Sequence, residues 1–186
     1  MQNKTLLVTD NFEIKLVVDT MHSPRNLESF LNQSNKNENL ILEGVEVYER
    51  NSKGDYEKIS DASARAIKTK RIVLAYHNSK GIHAPRYGTE LLMPVKFRVE
   101  GLRNGLIGKV PVFGRYLPET DIEKLNYLVR QLSNKSFIPF YAPYQRSGQD
   151  EFQRLFEGVV EDPTKIPAVL LNVTDSSVYS MSIPKE

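Results

Sequence analysis

The strongest constraint on the fold is a succession of short segments with the composition or the alternation of β-strands. FEIKLVV (12–18) and LILEGVEVYER (40–50) alternate apolar with polar residues, which suits strands with one face buried. KRIVLAYH (70–77) and ELLMPVKFRVEG (90–101) are rich in β-branched and aromatic residues. Pro94 predicts an edge strand or a bulge in the last of these, because proline cannot donate a hydrogen bond to a ladder.

Other segments have the spacing of a helix. The clearest is PETDIEKLNYLVRQLSN (118–134), in which Thr120 and Glu123 form a T-x-x-E capping box ahead of regularly spaced apolar residues. A shorter helix is predicted to start at Ser23, and a third is predicted within DEFQRLFEGVV (150–160). The chain is therefore expected to combine a sheet with about three helices.

This content predicts an α+β protein, built either as an antiparallel sheet or as a small Greek-key, OB-like barrel. The glycine-rich segment 102–116 is the best hinge candidate. We therefore expect a β-rich lobe at 1–116, which carries a basic segment, and an α+β lobe at 117–186. The alternative is one domain in which both lobes pack together, as 186 residues allow.

Composition excludes several classes of protein. The chain has no cysteine, so it has no disulfide, thiolate metal site or thiol nucleophile. Asp10, Glu13 and Lys15 interrupt the first apolar run, which therefore lacks the continuous core of a signal peptide. No stretch approaches the roughly 20 apolar residues that span a bilayer. A cytoplasmic location without a membrane partner is expected.

Catalytic signatures are missing from the sequence. It contains neither G-x-x-x-x-G-K-[ST] nor G-x-G-x-x-G for phosphates, and no G-x-S-x-G nucleophile elbow. The histidines are His22, His77 and His83, and they lack the H-E-x-x-H spacing of a zinc site. No catalytic residue, metal or cofactor is predicted.

The charge is distributed unevenly along the chain. The formal net charge is +2, but residues 64–116 hold eleven Lys/Arg and two Asp/Glu, which gives this basic segment a net charge of +9. Residues 1–63 carry a net charge of −4 and residues 117–186 carry −3. A concentrated basic segment of this kind is typical of a surface that meets a polyanion.

The leading interpretation is a non-enzymatic protein that contacts single-stranded or structured nucleic acid. Such proteins hold phosphates with Lys and Arg and stack bases on aromatic rings. Lys96 and Arg98 share one face of their strand, whereas Phe97 lies on the other face and is predicted to be core. The candidate nucleic-acid-binding residues are Arg65, Lys68, Lys70, Arg71, Tyr76, Arg86, Tyr87, Lys96 and Arg98.

Three alternatives stay open at this point. The cations of the basic segment could pair with Glu43, Glu46 and Glu49 across a sheet, which would cancel their field. The protein could instead be an interaction or assembly module, joining a protein partner or a second copy of itself through aromatic residues. These residues are Phe137, Phe140, Tyr141 and Tyr144. The third alternative is an enzyme that acts on a phosphorylated small molecule, with cations converging beside a titratable base.

Overall fold

The computed structural model describes residues 4–21, 27–33, 39–77, 91–112, 116–133, 135–146, 151–174 and 177–185. Within these residues, ten strands form one sheet. The strands are β1 (Thr5–Thr9), β2 (Ile14–Met21), β3 (Asn39–Arg50), β4 (Tyr56–Lys68), β5 (Ile72–His77), β6 (Leu91–Val99), β7 (Leu106–Val112), β8 (Phe137–Tyr144), β9 (Ala168–Asn172) and β10 (Val178–Ser182). The helical elements are α1 (Leu27–Gln33), a 3₁₀ turn (Thr69–Arg71), α2 (Asp121–Leu132) and the single turn α3 (Glu151–Arg154).

The strand order is β10-β6-β7-β8-β9-β5-β1-β2-β3-β4, and every neighbouring pair is antiparallel. A barrel requires its two edge strands to pair with each other. Here β10 and β4 are the two edges, and no pairing joins them among the described residues. The predicted OB-like barrel with about three helices is therefore wrong. The described part of the protein is mostly an open antiparallel sheet, accompanied by two helices longer than a single turn.

Strands from the two expected lobes are mixed within the sheet. The segment 117–186 contributes β8 and β9, which lie between β7 and β5, and β10, which pairs with β6. Both segments therefore build the same sheet, and the proposed boundary after residue 116 does not separate two sheets.

The core occupies both faces of the sheet. On the first face Leu6 packs in a cluster with Leu128 of α2, and on the second face Leu7 packs with Leu31 of α1. Every residue of β1 is buried, which explains its uninterrupted apolar run. Burying one leucine stabilises the fold by roughly 1.5–3 kcal/mol. The leucines of α1 and α2 therefore hold these helices against opposite faces of the sheet.

Helix α2 begins where the capping box predicts. The Thr120 backbone is extended, and its Oγ1 accepts a hydrogen bond from the Glu123 N–H at 3.2 Å. Leu128 and Leu132 face the core, whereas Ile122 and Val129, which share the apolar spacing, are exposed. None of the helices in the described part of the chain is both long and apolar enough to cross a membrane.

The capping contact makes a simple prediction. Thr120→Ala should lower the free energy of unfolding by about 1 kcal/mol, because the Glu123 N–H loses its acceptor. Urea denaturation measures the change. Ser60→Ala, on the exposed strand β4, is the control and should change stability by less than about 0.5 kcal/mol. Equal effects of the two substitutions would show that the cap does not stabilise the helix.

Candidate functional site

The first group of predicted nucleic-acid contacts lies at the end of the edge strand β4. Arg65 and Lys68 are exposed on that strand, and Lys70 and Arg71 follow in the 3₁₀ turn. Arg71 Nη1 lies 3.6 Å from Asp10 Oδ1. The structure shows no ion pair between the other three cations and any described residue.

The second group lies on β6, and seven strands separate β6 from β4 in the sheet order. Arg98 is exposed and Lys96 is half-buried. Phe97 is fully buried, with its ring centroid 5.0 Å from that of Phe140, so the predicted alternation along this strand is confirmed. The candidate cations therefore form two groups on different strands.

Tyr76 is not available as a base-stacking residue. Its side chain is 3% exposed and packs edge-on against Phe156, with the ring centroids 5.2 Å apart. A base stacks on an exposed ring face, so Tyr76 belongs to the core instead. Arg86 and Tyr87 lie outside the described residues.

The aromatic stretch of β8 is mostly core. Phe137 and Phe140 are buried on opposite faces of the sheet, and Tyr141 is half-buried. Tyr144 differs, because 48% of its surface is exposed. Of the four aromatic residues predicted to form an interface, Tyr144 is thus the one with about half of its surface open to solvent.

One of the acids considered for internal charge pairing contacts cations from outside the basic segment. The Glu46 carboxylate lies 3.9 Å from Lys4 Nζ and 3.7 Å from Lys58 Nζ, and it also accepts a hydrogen bond from the Tyr48 hydroxyl. Lys58 Nζ is also 2.8 Å from Asp61. Glu46 therefore pairs with Lys4 and Lys58 rather than with the cations of the basic segment.

A bulge in β8 explains why Tyr144 points outward. In the register with β7, Lys109 is opposite Tyr141 and Ile107 is opposite Tyr144, so β8 has one extra residue between these pairs. Ala142 adopts a φ of 48°, and its N–H donates to the Pro167 carbonyl at 2.8 Å. An extra residue inverts the alternation that follows it. Without the bulge, Tyr144 would share the core face of Phe140.

A pocket of about 550 Å³ opens beside Tyr144. Pro94, Ile107, Ile183 and Pro184 supply apolar wall, and five of the eight other lining residues are charged. We call it the cationic pocket, and its charged and aromatic lining residues are Lys109, Lys124, Arg146, Lys185, Asp121 and Tyr144.

Positive charge dominates the cationic pocket. Lys124 Nζ lies 3.8 Å from Asp121 Oδ1. The Arg146 guanidinium donates to the Lys185 main-chain carbonyl and has no carboxylate partner among the residues that the structure describes. Lys109 is exposed and has no ion pair with any residue that the structure describes. Among the described residues, four cations and one carboxylate thus line the cavity. A concave surface lined by one sign of charge concentrates the field and attracts counter-charged ligands.

A second, more polar pocket of about 620 Å³ forms where three hairpin turns meet α3. We call it the loop pocket; its charged lining residues are Glu13, Arg50, Lys53, Arg103, Glu151 and Arg154. Most of these charges hold the turns together. Arg50 Nη2 is 2.7 Å from Glu13 and its Nη1 donates to Gly101 O, while Arg154 Nη1 donates to the Lys53 carbonyl.

His77 occupies a structural position. Its Nδ1 lies 2.7 Å from Thr5 Oγ1 of the neighbouring strand, and burial lowers the pKa of its imidazole. His22 and His83 lie outside the described residues. Among the residues that are described, no group of three or more His, Asp or Glu side chains is placed to hold a metal ion.

Sequence reasoning missed most of the cationic pocket. Lys124, Arg146 and Lys185 lie outside the basic segment, and strand order brings them beside Lys109. A usable signal was proline within strand-like segments, such as Pro94 and Pro143, because proline within a strand marks an edge or a bulge. Comparisons with protein-family models, curated proteins and solved structures found no match to this chain.

Proposed function

We propose that this protein binds single-stranded nucleic acid at the cationic pocket and does so without catalysing a reaction. The observation that supports this most directly is the exposed Tyr144 ring, set among Lys109, Arg146 and Lys185 beside apolar wall. Proteins that hold single strands use this combination, in which cations contact the phosphates and each stacked base contributes roughly 1–3 kcal/mol.

The shape of the site favours a single strand over a duplex. Major-groove reading requires a protruding helix or ribbon, whereas the cations and the ring here line a concavity. A volume of about 550 Å³ falls within the range of sites that enclose a small organic group, such as one unpaired nucleotide. An unpaired base can enter such a cavity, and its flanking phosphates then lie against the surrounding cations.

Two substitutions separate the phosphate contact from the stacking contact. Lys109→Gln should weaken binding of a fluorescently labelled oligothymidylate and lower the slope of log affinity against log salt by about one, because one phosphate contact is lost. Tyr144→Ala should weaken binding by about tenfold or more with the slope unchanged. Fluorescence anisotropy over about 50–200 mM salt measures both changes.

Two control variants test whether the expected losses of affinity come from the Tyr144 ring and from the position of the Lys109 charge. Tyr144→Phe retains the ring and should bind nearly as well as the unsubstituted protein. Arg65→Gln removes an exposed cation from β4 and should leave the affinity unchanged. If Arg65→Gln weakens binding as much as Lys109→Gln does, the contact surface is β4 rather than the cationic pocket. If the oligothymidylate does not bind at about 50 mM salt, or if its affinity does not fall as the salt concentration rises, the proposed function is wrong.

A further inference from the structure

We propose that the bound strand leaves the cationic pocket along the hairpin formed by β6 and β7 and ends in the loop pocket. This path rests on the proposed function, and it identifies which further cations contact the ligand. The path requires three things of the structure: adjacent cations on one face, a fixed connection between the two pockets, and positive charges that are not already neutralised.

The strand register supplies the adjacent cations. Lys96 is paired with Ile107, and Ile107 is paired with Tyr144, so these three side chains form a row on one face of the sheet. Lys109 lies diagonally from Lys96, at the roughly 7–8 Å separation of such neighbours. Arg98 follows Lys96 on the same face. A cationic row therefore continues from the edge of the cationic pocket along β6.

The turn after β6 connects this row to the loop pocket. The Glu151 carboxylate accepts hydrogen bonds from the backbone N–H groups of Arg103 and Asn104, at 3.1 and 3.2 Å. Gln145 Nε2 donates to the Asn104 carbonyl at 2.9 Å and also reaches Glu151. Gln145 directly precedes Arg146 of the cationic pocket, so the same contacts hold the turn and position both pockets.

The cations along this path have no acidic partner in the described part of the chain. No described residue forms an ion pair with any of them; they are Lys53, Lys96, Arg98, Arg103 and Lys109. Of the acids in the loop pocket, Glu13 pairs with Arg50, whereas Glu151 accepts bonds from uncharged N–H groups of the turn, which supply no counter-charge. Glu100 is exposed at the start of the turn and is a further acid expected to oppose a phosphate.

The length of the path sets the minimum ligand. Pro94, which is paired with Lys109 at the cationic pocket, lies seven residues before Gly101 along the chain. This separation corresponds to about 23 Å at roughly 3.3 Å per residue. One nucleotide cannot bridge that distance. Occupancy of both pockets therefore needs a strand near or above the lower end of the roughly 4–16 nucleotides that single-strand sites cover.

Oligothymidylates of increasing length, from about 2 to about 12 nucleotides, test this path by fluorescence anisotropy. The double variant Lys53→Gln/Arg103→Gln should weaken binding of the longest oligomer by about tenfold at low salt and lower its salt slope by about two, since two phosphate contacts are lost. Binding of the dinucleotide should be unchanged. Glu100→Gln should strengthen binding of the longest oligomer by about threefold.

The matched control is Arg65→Gln/Lys68→Gln, which removes two exposed cations from β4 and should leave binding at every length unchanged. Circular dichroism checks that each variant is folded. If the longest oligomer binds no more tightly than the dinucleotide, or if the loop-pocket variant weakens both equally, the path is overturned while binding at the cationic pocket stands. If no length binds, the path and the proposed function are both wrong.

Discussion

Gly101→Ala is expected to lower the free energy of unfolding by about 3–5 kcal/mol, from backbone strain and overpacking together. Gly101 has a φ of 94°, which side-chain-bearing residues rarely adopt. A Cβ at this position would lie 1.9 Å from the Asn11 carbonyl oxygen. The Asn11 turn cannot easily move away, because Asp10, Asn11 and Phe12 all have positive φ and Phe12 is fully buried. The substitution should also disturb the bond that Arg50 donates to the Gly101 carbonyl.

Gly158→Ala is the matched control for this collision. Gly158 also has a positive φ, of 77°, but no atom lies within 4 Å of the position that its Cβ would take. Gly158→Ala should therefore lower the free energy of unfolding only through the strain of a positive φ at alanine, by about 1–2 kcal/mol. Urea denaturation of the two variants compares them directly. Equal losses would mean that the close approach of Gly101 to Asn11 does not constrain the fold.

Features set by neighbouring residues could be predicted from the sequence. The capping box at Thr120 located the start of α2, because a cap needs a residue and its partner three positions later. The parity of β6 placed Phe97 in the core, because the two-residue period holds whichever strands are adjacent. Both features depend on a few consecutive residues and on no distant contact.

Strand order and sheet closure could not be predicted in this way. Nothing within FIPFYAPY (137–144) indicates that β8 lies between β7 and β9, and the absence of a pairing between β10 and β4 is a property of the whole sheet. The alternation of buried and exposed residues also shifts within β3. Leu40 and Leu42 are buried before Gly44, whereas Val45 and Val47 are buried after it. Gly44 has a φ of 63°, and a conformation of that kind shifts the alternation.

The candidate site depends on the same non-local features. Tyr144 is exposed because of the bulge at Ala142, whereas alternation continued from Phe137 would have buried it against the core face of Phe140. Counting charge by segment favoured residues 64–116, yet Arg146 and Lys185 reach the cationic pocket from elsewhere in the sequence. A pocket assembled across several strands has no signature in any single one of them.

The stability of this protein is expected to rise with pH between about 8 and about 10, unlike that of most proteins. The cause is Lys15, which is 2% exposed on β2. Its Nζ donates to the Glu157 carbonyl at 2.9 Å and lies 5.1 Å from the Tyr48 ring centroid and 5.7 Å from that of Tyr56. Burial lowers the pKa of Lys15 to about 8, although the carboxylates of Glu157 and Glu46 partly oppose the shift.

The sign follows from comparing protons bound in the two states. Below pH 8 the Lys15 amine is charged in both states, so folding carries the full cost of burying the charge. Between pH 8 and 10.5 the unfolded chain binds more protons at Lys15 than the native state does, so Lys15 alone contributes a rise of about 3 kcal/mol, most of it below pH 10. Above about pH 10 the trend reverses, because burial raises the pKa of Tyr48 to about 12 and also that of Tyr56. The unfolded tyrosines then release protons that the folded ones keep.

Lys15→Met should remove the rise between pH 8 and 10 and increase the free energy of unfolding at pH 7 by about 2 kcal/mol, since an apolar side chain of similar length avoids the desolvation cost. The loss of the Glu157 carbonyl's donor limits this gain. Urea denaturation at several pH values between about 7 and 10 measures both effects. Lys68→Met, on exposed β4, should leave the profile unchanged. If the Lys15→Met profile rises in parallel with that of the unsubstituted protein, the rise does not come from the buried amine.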